Sequence, residues 1–349
     1  MKIGANDASA AAGFVLATSS GNCVVSGAAT SLRASGRSLL ICLSLSLPSS
    51  GAMAQTPDSQ PPTNTQLADQ EPITPIPPPP AADPLKLALG ELLFSDPRLS
   101  GDGQLSCSSC HDLQANGASA GRRTVAHDGS KAPFDTPTVF NAALSFRLNW
   151  EGNFHAFAAQ AEASLENAAN MHTSVDEVVV KLGTDPEIVQ QFREAYGRPP
   201  DRTSFLDALV TFERSLLTPG SRFDRWLNGD ATALSPQELD GYRMFKSFGC
   251  SSCHQGVNIG GNLFERQGIF RPLVMGKPDV VRVPSLRNVA TTPPYFHDGS
   301  AATLNEAVHR MAASQLDRTL SDQQVDSIVA FLQTLTGNYR GVTVVGARP

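Results

Sequence analysis

From Pro84 onward, apolar residues recur three or four positions apart rather than two. Leu85, Leu89 and Leu92 open the series, Val178, Val179 and Leu182 lie in its middle, and Ile328, Phe331 and Leu332 near its end. That spacing gathers each set on one face of a helix. Residues able to cap a first turn stand ahead of the clearest runs: Asp201 or Thr203 before SFLDALVTFERSLL, Ser235-Pro236 before QELDGYRMF, and Ser321-Asp322 before QQVDSIVAFLQTL. Alternating runs are few, VVRVP being the main short piece, and no convincing hairpin stands out. The pattern predicts a mostly α protein with much irregular loop.

Upstream of Pro84 the pattern stops. TPDSQPPTNTQLADQEPITPIPPPPAADP has many prolines and few apolar anchors, so residues 55–83 read as an extended linker and folded structure is expected to begin near Pro84. Residues 1–54 read as a signal-peptide region. Arg33 and Arg37 precede an apolar run from Leu39 to Leu47, and Ala52-Met53-Ala54 then forms an A-x-A site before Gln55. The run is short for a bilayer span, which disfavours the competing reading, an uncleaved anchor. Export to the periplasm is expected. The residues before Arg33 are unusual for a signal peptide and fit an early start assignment. Cys42 follows Leu-Leu-Ile rather than small residues, against a lipoprotein.

Composition narrows the class. A chain of 349 residues, 41% hydrophobic, with a formal net charge of −6, is long enough for one or two ordinary cores. It carries no basic footprint for nucleic acid, whereas a mildly acidic surface suits a basic redox partner. Of six cysteines, Cys23 and Cys42 fall in the segment expected to be removed. The other four leave the mature protein without an expected disulfide.

Those four lie in one pentapeptide used twice, CSSCH at 107–111 and again at 250–254. C-x-x-C-H is the attachment sequence for c-type haem: two thiols one turn apart reach the two vinyl groups, and the adjacent histidine binds iron. Two matches predict two covalently bound haem c groups on Cys107, Cys110 and His111, and on Cys250, Cys253 and His254. The alternatives are zinc, which more often uses C-x-x-C pairs without the trailing histidine, and a redox dithiol, which belongs in an α/β pattern absent here. Each haem's sixth ligand and surroundings must come from elsewhere in the chain.

Four further stretches carry a resemblance. LGELLFSDPRLS at 89–100, TPTVFNAAL at 136–144, SLLTPGSRFDRWLNGD at 215–230 and PSLRNVATTPPYFHDGS at 284–300 resemble the bacterial di-haem cytochrome c peroxidase family. That family includes relatives that oxidise tryptophan in partner proteins. The resemblance covers the folded part of the chain. It implies two c-type cytochrome-like haem domains packed against each other, an N-terminal one (84–230) with the peroxidatic haem and a C-terminal one (231–341) with the electron-transfer haem, followed by a tail (342–349).

The resemblance also implies roles for particular residues. Met311 matches the methionine ligand of the peroxidase branch and would complete the second haem with His254; otherwise it is a core residue of an amphipathic helix. His127 stands where peroxidases carry a removable ligand to the first haem, the other reading being a surface histidine. Trp150 matches the tryptophan between the haems, an electron relay, unless it is simple core packing. Asp135 by its side chain, and Thr292 and Pro294 by their carbonyls, match a calcium site, for which hard oxygen ligands are suited. Gln160 matches a pocket glutamine that positions peroxide.

One stretch departs from the family. Where relatives read proline, an apolar residue, glutamate and methionine, this chain reads Ala168, Ala169, Asn170 and Met171, so the distal glutamate is replaced by an amide that cannot titrate. Glu166, one helical turn earlier, is the candidate substitute on the same face; its other reading is a solvated helix glutamate. Three functions follow. The first is a periplasmic peroxidase reducing hydrogen peroxide to water with electrons from a small cytochrome c or copper protein. The second is an oxidase that draws electrons from a partner protein's side chain through high-valent iron. The third is a non-enzymatic electron carrier. The sequence leaves the oligomeric state open between monomer and homodimer, though members of the family it resembles are often dimers.

Overall fold

The computed structural model of the protein describes residues 71–118, 134–274 and 278–347. Among them, nine α-helices carry the fold. In the first half these are α1 (Pro84–Phe94), α2 (Phe157–Glu166), α3 (Val175–Gly183), α4 (Pro186–Tyr196) and α5 (Arg202–Ser215). The short α6 (Arg222–Leu227) precedes α7 (Pro236–Ser247), α8 (Leu304–Leu316) and α9 (Asp322–Gln333). The expected starts are where the caps stand: Asp201 accepts from Ser204 N, Ser235 from Glu238 N and Ser321 from Gln324 N. Among the described residues, strand is confined to two antiparallel pairs, β1 (Phe264–Arg266) with β2 (Val280–Arg282) and β3 (Asn338–Tyr339) with β4 (Val342–Thr343). VVRVP thus supplies β2, and the short pair at 338–343 is a hairpin the alternation did not reveal.

The two halves are built alike. Helix α1 crosses α5 at Gly90, where a Cβ would sit 2.1 Å from the carbonyl oxygen of Ala208. Helix α7 crosses α9 at Gly241, where a Cβ would sit 1.8 Å from that of Ser327. Glycine is what lets each pair of backbones approach so closely. This crossing also turns α1 from its expected orientation: Leu89, Gly90, Leu93 and Phe94 are buried, while Leu85 and Leu92 are exposed. Asn141 and Asn288 adopt the same left-handed conformation, each with φ 61°, which asparagine tolerates. Both side-chain amides donate to Thr218 Oγ1, at 2.7 and 3.0 Å, tying the repeated loops to one hydroxyl.

Neither end of the folded region lies where the sequence places it. Residues 71–83 are without helix until α1, as a proline-rich linker should be, but packing begins by Glu71 rather than Pro84. Ile73 is fully buried in the core of the second half with Phe223, Tyr242 and Phe331. Pro72 O accepts from Gly256 N, and Thr74 O from Arg287. Glu71 pairs with Tyr242 and Lys246. Six prolines forbid helix but leave carbonyls for such bonds. The segment expected as a tail, 342–349, is likewise engaged: Val344 is buried in the core of the first half and its N–H donates to Gly337 O at 3.0 Å, and just ahead of the segment Arg340 makes two 2.7 Å bonds to Glu91. Helix α6, in the stretch assigned to the first half, packs Phe223 and Leu227 into the second core. The signal-peptide region, with Cys23 and Cys42, lies outside the described residues. No helix among those described is long and apolar enough to cross a membrane.

Candidate functional site

Each pentapeptide forms one tight turn. Cys110 N and His111 N both donate to Cys107 O, at 3.2 and 3.0 Å, and Cys253 N and His254 N to Cys250 O, at 3.3 and 3.0 Å. The turns differ in their entry, with Ser106 capping the first and Gly249, at φ 100°, leading into the second. None of the four described cysteines is in a disulfide. Burial pushes the thiol of Cys107 up to about 12 and that of Cys250 up to about 11, so both stand as neutral thiols. Each histidine is held by its far nitrogen: His111 Nδ1 lies 3.1 Å from Gly117 O and His254 Nδ1 lies 3.2 Å from Ile259 O. A carbonyl only accepts, so Nδ1 carries the proton and Nε2 is left as a ligand. Burial also lowers both imidazole pKa values, that of His254 to about 4, keeping the neutral, metal-binding form.

Both turns open on one cavity. Helix α2 lines its first side with Phe157, Gln160, Ala161, Ser164 and Leu165, and α8 lines the second with Leu304, Ala307, Val308, Met311 and Ala312. The spacing of the two sets is identical. Counted from the paired asparagines Asn141 and Asn288, Met311 in the second half corresponds to Ser164 in the first. Gln160 Nε2 donates to Ser164 Oγ at 2.8 Å, giving the first side a polar wall that Asn170 extends. Glu166 does not join it. Helix α2 ends at Glu166, Asn167 turns extended, and Asn170 lies in the following turn, so the helical-turn relation expected between the two fails; Glu166 is exposed.

Trp150 lies on the wall shared by both sides. Its Nε1 donates to Asp135 O at 2.9 Å, and its ring meets that of His297 edge-on at 6.1 Å. Asp135, Thr292 and Pro294 line the same cavity. Gly299, at φ 68°, makes room for the Asp135 carboxylate, since a Cβ there would stand 2.4 Å from Oδ2.

A model of the di-haem cytochrome c peroxidase family matches residues 84–232, and a cytochrome c model matches residues 239–336. A cytochrome c551 peroxidase of Nitrosomonas europaea is 37% identical over 292 residues, which are 78% of this chain and 86% of the relative. The chain belongs to the di-haem cytochrome c peroxidase family. Methylamine utilization protein MauG of Methylorubrum extorquens is 31% identical, over 76% of this chain and 83% of that one. A solved structure of a MauG-like protein associated with microbial copper homeostasis is 27% identical with a TM-score of 0.65, covering 75% of this chain and 93% of its own.

Membership of the di-haem peroxidase family makes the mostly α fold a pair of cytochrome c-like domains, the activity that of a peroxidase-type oxidoreductase, and the implied cofactors two haem c groups. The residues present fit such groups. Neutral thiols and anchored imidazoles face one cavity, which also holds two cations for haem carboxylates: buried Arg282, and half-buried Arg147, whose buried Nε has no hydrogen-bond partner among the described residues. Of the expected site residues, Trp150, Gln160, Asn170, Met311, Asp135, Thr292 and Pro294 line the cavity, Glu166 does not, and His127 lies outside the described residues. Ser164, Arg147 and Glu213 line it as well and were not anticipated. Aligning the two halves on Asn141 and Asn288 would have singled out Ser164 opposite Met311.

Proposed function

We propose that this protein is an exported di-haem peroxidase, reducing hydrogen peroxide to water at the haem of the first pentapeptide. Its electrons come one at a time from a small periplasmic cytochrome c or copper protein at the haem of the second. The observation that carries this reading is the contrast between Ser164 and Met311 at equivalent helical positions. Bound haem supplies the one-electron chemistry. His254 and Met311 would hold the second iron, a pairing that favours a high potential. On the first side a hydroxyl replaces the thioether, so peroxide would meet Gln160 and Asn170 rather than a fixed ligand. His127 is proposed there as a removable one.

Gln160 orients peroxide through its amide, which is itself held by Ser164. Neither Gln160 nor Asn170 can take up and return a proton, so the shuttle between the two peroxide oxygens runs through water or His127. Trp150 is proposed as the relay between the haems, and Asp135, Thr292 and Pro294 as oxygen ligands of a calcium ion. Arg33, Arg37, the apolar run and the A-x-A site support export.

A second reading has its own support. Loss of the titratable acid at Asn170 fits a relative that holds oxidising equivalents long enough to draw electrons from a partner protein. Steady-state oxidation of a reduced small cytochrome by hydrogen peroxide tests the first reading. Sustained turnover is expected. Rapid reaction with peroxide without donor turnover would favour the second reading, and no reaction with peroxide would leave an electron carrier.

A further inference from the structure

Glu213 on α5 lines the haem cavity, and its Oε2 is fully buried with no hydrogen-bond partner among the described residues. An unpaired buried carboxyl is costly to the fold. The second half shows what packing alone requires at this place. Because the Gly90 crossing meets Ala208 and Phe212, and the Gly241 crossing meets Ser327 and Phe331, Glu213 is the counterpart of Leu332. Leu332 also lines the cavity and is buried. An apolar side chain fills the position at one pentapeptide, and an acid fills it at the other.

Glu213 and Cys107 line the same cavity, and the Cys107 thiol is raised first by burial and then by the nearby Glu213 charge. Vinyl groups and carboxylates occupy opposite edges of a haem, so a neighbour of Cys107 belongs to the thioether edge and not to the carboxylate edge. Other charged groups on the elements packed against α5 are engaged elsewhere. On α1, Lys86 pairs with Asp207 and Glu91 with Arg340. On α2, Glu162 pairs with Arg202 and Glu166 is exposed. On α3, Asp176 lies 3.8 Å from Arg202, Glu177 bonds Thr173 and Ser174, and Lys181 donates to Ser100 O. Arg214 of α5 itself is exposed. The Cys107 thiol is consumed on haem attachment, which leaves Glu213 as the acid that α5 gives the cavity; Asp135, the proposed calcium ligand, and Glu151, which accepts from Asn153, line it as well.

We infer that Glu213 is the proton acceptor coupled to reduction of the first haem. When one electron from a one-electron reductant converts ferric to ferrous iron there, the Glu213 carboxylate takes one proton from solvent, and both leave together on reoxidation. The sign follows from charge: an added electron favours the neutral acid, so the carboxyl binds its proton more tightly beside reduced iron. Burial has already pushed the group up to about 8, into the range where solvent pH can work on it. The inference rests on the reading of the first CSSCH as a haem site.

The test is a spectroelectrochemical titration of the holoprotein at a series of pH values. For the native chain the couple of the first haem is expected to fall above about pH 8, tenfold per pH unit in the one-electron equilibrium constant, which is about 59 mV. The second couple should stay flat. Glu213→Gln should abolish the slope, and Glu213→Leu, which copies the second half, should do the same. Redox-difference infrared spectroscopy of the native protein should show a protonated carboxyl gained on reduction. A slope that survives in both variants, a flat native couple, or no carboxyl signal overturns the inference. Fewer than two haems per chain in a pyridine haemochrome assay would instead overturn the haem reading beneath it.

Discussion

The indole N–H of Trp150 donates to the backbone carbonyl of Asp135 at 2.9 Å, so the proposed relay hangs from the residue whose carboxylate is the proposed calcium ligand. Chelation of calcium, or Asp135→Ala, should therefore slow electron transfer between the haems while leaving both attached. Stopped-flow reduction followed at separate haem wavelengths measures this. An unchanged rate in calcium-depleted protein would disconnect the metal from the relay, and a native rate in Trp150→Phe would return Trp150 to simple packing.

The pairing of Met311 with Ser164 predicts reciprocal effects. Met311→His should keep both haems attached but lower the potential of the second, because imidazole replaces a thioether. Ser164→Met should give the first haem a fixed sixth ligand in place of the removable His127, keeping it low spin under conditions that make the native first haem high spin and slowing its reaction with peroxide. Electron paramagnetic resonance separates the two spin states. An unaltered high-potential couple in Met311→His would remove Met311 from the iron.

Restoring an acid at the distal wall should help the chemistry. Asn170→Glu is expected to speed the peroxide reaction of the first haem, since a positioned acid–base group contributes about 10²- to 10⁴-fold. Reduction of the second haem by its donor should not change. Glu166→Gln is the control and should be silent, because Glu166 is exposed and off the cavity wall. Loss of activity in that variant would put Glu166 back into the proton path.

Beneath the second site, Arg287 and Asp224 form a fully buried ion pair with a 2.7 Å bond, and Asp224 also accepts from Ile76 N and Ser221 N. Removing one partner strands a charge away from water. Arg287→Leu should cost about 3–5 kcal/mol of stability, read as a lowered midpoint in urea unfolding with both haems retained. A midpoint within error of the native one would show that the pair contributes nothing net.

Helical class, the capped starts at Asp201, Ser235 and Ser321, and the two CSSCH turns were all legible in the sequence because each is set by residues within a few positions of one another. What was not legible depends on partners far along the chain. Leu85 and Leu92 match the helical period of α1, yet the face that is buried is decided by the meeting of Gly90 with Ala208. Ile73 sits among prolines that deny it a helix, and its burial comes from Phe223, Tyr242 and Phe331. Glu166 was read as continuing a helix that stops at Glu166 itself, where Asn167 turns the backbone extended. Glu213 hides in an ordinary amphipathic run, and it becomes conspicuous only when the second half shows leucine in its place.

The two ends of the described fold cross over. Residues before α1 are seated in the second core through Ile73, and residues after α9 return to the first through Val344 and the bond between Arg340 and Glu91. Neither cytochrome half therefore owns all of its walls. A gene divided between α5 and α7 would yield two pieces, each carrying the other's closing segment and lacking its own. Mixed together they should reassociate as a nicked whole, but neither piece alone should survive as a one-haem protein.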